Sequence, residues 1–241
     1  MKKLMTIAAA ALCASVFADG ITSANVVGYQ TVNTTEADNI YLVQTLLPVG
    51  STLDKVPIGS IKPSADWDGG LDWLGTVSAS GEQDESFTYR NGGWYRLDPD
   101  TFEIVGDCVD ETAMIPYNGA LVVYSGEGAT LTFAGEVLKG DIEMKVNPAD
   151  NAYTGNLTPV EIDISDIVPS NWNSGLDWLG TVSASGEQVD CYTYKTDGWY
   201  ALDPESFEPV GDCVNGKVKI APSQSLVVYT EAGSLNLKGA L

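Results

Sequence analysis

The 241-residue chain contains no histidine. That absence removes the Ser-His-Asp triad, the Cys-His pair and every zinc site built on imidazole. Walker and Rossmann glycine signatures are missing as well. Basic residues are scarce: 12 Lys and Arg stand against 33 Asp and Glu, a formal net charge of −21. So negative a chain repels nucleic acid and anionic lipid, and neither is expected as a partner. Long apolar runs are lacking too. The longest, LMTIAAAALCASVFA from Leu4 to Ala18, has 15 residues, short of the ~20 that cross a bilayer. No membrane span is expected. No stretch of twelve or more residues keeps a helical period, which argues against α/β folds.

That apolar run follows MKK and ends on small residues, the pattern of a secretory signal peptide. Val16 and Ala18 suit the −3 and −1 positions, so cleavage is expected after Ala18, with Ala24 as the alternative. Cys13 is preceded by Leu12 rather than a small residue, which disfavours a lipidated N-terminus. Loss of Lys2 and Lys3 with the leader leaves 33 acidic against 10 basic residues, a net −23. The expected location is outside the cell or on its surface.

What the chain does have is a repeat. LDWLGTVSASGEQ occurs from Leu71 to Gln83 and again from Leu176 to Gln188. Around it, Gly70–Val109 and Gly175–Val214 agree at roughly three quarters of their positions without a gap. ALVVYS at Ala120–Ser125 answers SLVVYT at Ser225–Thr230, and ADN at Ala37–Asn39 answers ADN at Ala149–Asn151. The mature chain therefore reads as two tandem homologous units, residues 19–138 and 139–241, after a leader at 1–18. No Pro/Ser-rich linker separates them, so close packing is expected.

Inside a unit the pattern is β. Short Val-, Thr-, Tyr- and Trp-rich runs alternate with turn residues, as where SFTYR, NGG and WYRLD predict a hairpin. The expected fold class is all-β, with each unit of about 105–115 residues a sandwich or barrel-like module.

The segment TSANVVGYQTV (Thr22–Val32) and the strand AGEV (Ala134–Val137) resemble an uncharacterised family of secreted bacterial β-repeat proteins. These open on an ANVVGY-type motif after the signal peptide and close their units on an AGEV-type strand. The resemblance spans the mature chain and implies export and β architecture. It implies no activity.

Three kinds of site compete with plain structural readings. The six tryptophans fall in matched pairs: Trp67 with Trp172, Trp73 with Trp178, Trp94 with Trp199. Trp73 and Trp178 lie inside strand-like runs and read as core. Trp67 and Trp172 lie in Gly- and Asn/Asp-rich loops, and read as candidate platforms for a sugar ring. Neighbours in a strand face opposite ways, so one of Trp94 and Tyr95, and one of Trp199 and Tyr200, is expected outside. LDPDTFE and LDPESFE place acids where calcium would bind, but they read better as turns in which Asp bonds its own backbone. Of the mature cysteines, Cys191 and Cys213 are expected to form a bridge within the second unit, leaving Cys108 free.

Without imidazole a hydrolase would need a pair of carboxylates, and no spacing selects one. The leading expectation is an exported, non-enzymatic structural or adhesive surface protein with no cofactor. A pair of carbohydrate-binding modules is the alternative, and a carboxylate-based glycoside hydrolase comes third.

Overall fold

β-Branched and aromatic residues punctuated by Gly, Asn and Asp favour strands and tight turns over helices. The described residues follow this throughout. The computed structural model describes residues 27–34, 38–53 and 55–238. The expected leader and its cleavage site lie outside the described residues. Two single-turn 3₁₀ helices, Ile58–Ser60 and Ile164–Asp166, are the only helical segments among the described residues. None of these is long and apolar enough to cross a membrane.

The first eleven strands are β1 (Val27–Asn33), β2 (Asn39–Leu42), β3 (Val56–Pro57), β4 (Ile61–Pro63), β5 (Trp73–Val77), β6 (Gln83–Arg90), β7 (Gly93–Leu97), β8 (Ile104–Val105), β9 (Met114–Ile115), β10 (Leu121–Tyr124) and β11 (Thr130–Glu136). Eleven more follow: β12 (Ile142–Glu143), β13 (Asp150–Gly155), β14 (Ile162–Asp163), β15 (Ile167–Ser170), β16 (Trp178–Val182), β17 (Gln188–Lys195), β18 (Gly198–Leu202), β19 (Pro209–Val210), β20 (Lys219–Ile220), β21 (Ser225–Thr230) and β22 (Ser234–Leu237).

They make two six-stranded sheets, ordered β2-β10-β5-β6-β7-β8 and β13-β21-β16-β17-β18-β19. Two three-stranded sheets, β1-β11-β4 and β12-β22-β15, and two strand pairs, β3-β9 and β14-β20, accompany them. Each order in the second set is that of the first displaced by eleven strands. The six-stranded sheets stay open at β2 and β8 and at β13 and β19. No barrel closes among the described residues, which corrects the barrel-like option. The very short edge strands β8 and β19 are a common way for an open sheet to limit further pairing.

Local chemistry sets the register. Asn91 and Gly92 form the two-residue turn between β6 and β7 at φ 54° and 87°, as a tight hairpin demands. In β1, Val27, Gly28 and Tyr29 lie opposite Glu136, Gly135 and Ala134 of β11. The VGY and AGE segments of the chain are therefore ladder partners.

The core lies between the large and small sheets. Leu74, Phe87, Trp94, Leu121 and Val123 of the first large sheet meet Ile61, Leu131 and Phe133 of the first small one, all buried in one cluster. That cluster continues into the second half through Leu179, Trp199, Leu226 and Leu235. Backbone bonds join the halves: the Tyr41 amide donates to the Ala184 carbonyl (2.8 Å), Val43 to Ser223 (3.1 Å) and Ala120 to Tyr153 (3.0 Å). The buried Tyr117 hydroxyl donates to the Leu157 carbonyl at 2.9 Å.

Candidate functional site

The tryptophans sort differently from the expectation. Trp94 and Trp199 are fully buried. Each indole N–H donates to a carbonyl of the small sheet, Ile61 and Ile167, at 3.0 Å in both cases. Trp67, expected outside, is only 8% exposed and packs edge-on against Trp94 with centroids 5.6 Å apart. Trp172 does the same against Trp199 at 5.5 Å. It stays part-exposed, with its N–H on Thr193 Oγ1 at 3.2 Å. The polar loops around Trp67 and Trp172 fold back over the core, so these residues serve as core lids. Tyr95 and Tyr200 are the half-exposed members of their pairs. The Tyr200 hydroxyl donates to Asp197 at 2.8 Å and its ring lies under the Lys195 ammonium.

Trp73 and Trp178, expected in the core, are part-buried, and Trp73 packs against the buried cluster while staying part-exposed. Trp73 is opposite Tyr124 in the ladder, and their rings stack at 6.0 Å with 13° between planes. Phe102 extends the row, 6.1 Å from Trp73. The second half repeats the row with Tyr229, Trp178 and Phe207, at 6.3 Å for both contacts. Phe102 and Phe207 are 46% and 50% exposed.

Both phenylalanines adopt φ 55°, the left-handed region, which is disfavoured for a bulky residue by ~1–2 kcal/mol. The LDP turns hold them there. Asp98 Oδ1 accepts from the Asp100 and Thr101 amides (3.0 and 2.9 Å), and the Phe102 amide donates to the Asp98 carbonyl (2.9 Å). Asp203, Glu205, Ser206 and Phe207 repeat the arrangement. These backbone bonds hold the Asp98 and Asp203 carboxyls below the usual carboxylate range. Asp98 and Asp203 thus act on their own backbone, and among the described residues no group of three His, Cys, Asp or Glu is placed to hold a metal ion.

A shallow cavity of about 260 Å³ lies beside the first row, lined by Leu71, Trp73, Leu97, Phe102 and Ile104 with Arg90 and Glu103 at its polar side. Asp72 also borders it but is buried and fully engaged: it accepts from the Asp68 amide (2.9 Å), the Ser125 hydroxyl (3.0 Å) and the Gly126 amide (2.9 Å). Asp177 braces the second half through Asn173 and Glu231. Beside the second row, a cavity of about 200 Å³ is lined by Gln188, Asp190, Cys191, Leu202 and Phe207. The two cavities share the corresponding residues Leu97 and Leu202, and Phe102 and Phe207, but the second runs along Gln188–Tyr192 and is not lined by Trp178.

The expected Cys191–Cys213 bridge is absent; Cys108, Cys191 and Cys213 are free thiols. Cys191 is opposite Gly180 in the β16–β17 ladder. Cys213 packs against Gly198, which faces Lys195, four residues further along β17. Four residues of strand span about 13 Å, and a disulfide needs Cα atoms within ~7 Å. Burial, aided by neighbouring Asp190, pushes the Cys191 thiol up to about 11.

The aromatic rows had a legible signal. It is the recurrence of a phenylalanine at the same place in two acidic turns, Phe102 and Phe207. No family model matches the chain, and no curated protein or solved structure matches it either.

Proposed function

We propose that the protein is an exported, non-enzymatic attachment protein made of two homologous β-sandwich units, residues 19–138 and 139–241, that engages an extracellular or cell-surface partner through part-exposed aromatic rows on its large sheets. The observation that carries this reading is the row of part-exposed rings, Tyr124–Trp73–Phe102, recurring as Tyr229–Trp178–Phe207. In both halves a strained backbone holds a part-exposed phenylalanine against a tryptophan, and strain of this kind concentrates at binding sites. Part-exposed Trp73 and Trp178 favour attachment over a purely structural role.

The duplicated-unit reading is supported by the strand orders, which recur displaced by eleven strands, and by the 105-residue spacing of the sequence repeat. The export reading rests on the leader-like start, and membership of the secreted β-repeat family rests on the ANVVGY and AGEV segments. Against a hydrolase, Asp72 in the first cavity is tied up by three donors, which leaves no free carboxylate pair beside Trp73. The acid excess favours a partner other than nucleic acid.

The test is twofold. Expressed with its leader, the chain is expected outside the cytoplasm with Asp19 at its N-terminus by protein sequencing. The purified mature chain is expected to bind an extracellular matrix or cell-envelope fraction saturably, and W73A/W178A is expected to lose that binding while melting cooperatively. Retained binding by a folded W73A/W178A refutes the reading.

A further inference from the structure

We infer that each part-exposed aromatic row is a subsite for an uncharged glycan, so that the chain carries two sites for the same neutral polysaccharide. This rests on the attachment reading above and names its ligand class.

Three observations select that class. The apolar part of each site is narrow: a line of three rings spaced 6.0–6.3 Å apart, bordered by a shallow cavity of about 260 Å³ in one half and 200 Å³ in the other. A protein partner calls for a broad contact of roughly 800 Å² per side with an apolar centre. A sugar ring with equatorial hydroxyls needs only a strip of aromatic surface for its C–H groups and polar side chains at the rim for its hydroxyls.

The rim is polar in the required way. Arg90 and Glu103 border the first cavity, and Gln188 and Asp190 border the second. They offer donors and acceptors beside rings that stay part-exposed.

Charge then decides which glycan. The turns that carry Phe102 and Phe207 hold exposed Asp100 and Glu103, and Glu205 and Glu208, on a chain of net charge −21. A uronate or sulfate brought to either row meets this negative charge at close range, which Arg90 at the first cavity offsets only in part. An uncharged pyranose chain meets none. The same acidic rims oppose the meeting of two copies of this chain row to row.

The experiment is affinity electrophoresis of the full mature chain through gels containing β-glucan, galactomannan or xylan, with alginate and polygalacturonate as acidic arms, followed by calorimetry with the matching neutral oligosaccharide. Retardation by at least one neutral polymer and by neither acidic one is expected. Calorimetry is expected to give two sites per chain for wild type and one for W73A or W178A. The residual affinity of the altered site is expected to fall roughly thirtyfold, as for a central aromatic anchor. W73Y and W178Y, which keep a ring, control for misfolding and are expected to bind. Acidic polymers binding as well as neutral ones overturns the inference, as does concentration-dependent self-association abolished by W73A/W178A. If the protein attaches through Trp73 and Trp178 to a protein component but to no neutral glycan, this inference fails and the attachment reading stands. If a folded W73A/W178A attaches as before, both fail.

Discussion

The ring of Tyr153 lies so close over Gly81 that a β-carbon there would sit 2.8 Å from Cζ of the tyrosine. The relationship is reciprocal. Gly186 receives Tyr41 in the same way, with a β-carbon 2.7 Å from its Cζ, and the Tyr41 hydroxyl donates to the Gly81 carbonyl at 2.9 Å. Both glycines end the SASG turn of the repeated segment, at φ 85° and 89°. Each half thus lends a tyrosine to the turn of the other, which accounts for the identity of that turn in two places: both copies meet the same partner ring.

Substituting this glycine is expected to be costly in a way that can be separated from backbone strain. G81A is expected to lose about 2–4 kcal/mol, combining left-handed strain with overpacking against Tyr153. Gly92 has a similar φ of 87° but nothing within 4 Å of a β-carbon, so G92A is expected to lose only ~1–2 kcal/mol. Urea denaturation of both variants checks this; equal losses would remove the ring contact from the explanation.

The thiols are expected to differ in reactivity and to leave stability untouched by reductant. Cys108 is exposed, Cys213 partly so, and Cys191 buried with its pKa pushed up by burial first and Asp190 second. Iodoacetamide at neutral pH is expected to label Cys108 first and to spare Cys191 in the folded protein, as thiolate availability controls the rate. Mass mapping reads the order. A Tm that falls when dithiothreitol is added contradicts the free-thiol arrangement.

Stability is expected to decline on the alkaline side. Burial raises the phenols of Tyr41 and Tyr153 above 10.0 and, with Asp190 as a lesser cause, that of Tyr192 to about 12. The Cys191 thiol moves from 9.0 to about 11. Each raised group holds its proton more tightly when folded, so its contribution is complete below the unfolded value and is lost as pH climbs through the folded one. Urea midpoints are expected to hold up to about pH 9 and then fall towards pH 12. The acid limb runs the other way. Partial burial alone would raise the Asp163 carboxyl, but bonds from Ser165, Gly216 and Lys219 hold it at about 2. Its contribution is present above 3.8 and disappears as pH falls through about 2, so the stability gap between wild type and D163N is expected to close there.

The two phenylalanines are expected to trade little stability for binding. In F102G/F207G, relief of left-handed strain, ~1–2 kcal/mol per site, opposes the loss of ring contact with Trp73 and Trp178, ~0.5–1.5 kcal/mol per site. The folded stability should move by less than about 2 kcal/mol in total, while glycan binding weakens at both sites. A large loss of stability would mean that the rings serve the fold.

Local structure was legible in the residues themselves. The Asn91-Gly92 hairpin, the LDP turns and the β character of the whole chain depend on neighbours a few positions apart, and pattern reading reaches that far. Alternation along β7 and β18 also put Trp94 and Tyr95, and Trp199 and Tyr200, on opposite faces. What the residues alone could not reveal was which face another sheet would cover. Trp73 looked like core because its run is apolar, and it does pack against the buried cluster, yet only its neighbour Leu74 is wholly enclosed. Trp67 looked exposed because its loop is polar, yet that loop closes over Trp94. Cys191 and Cys213 read as partners because the first unit has Ser86 in place of Cys191 and so offers Cys108 no mate, yet ladder register sets them far apart. Strand and turn formation answer to short-range backbone chemistry, whereas facing, pairing and the Tyr41–Gly186 interlock are settled only when distant segments compete to bury the same apolar surface.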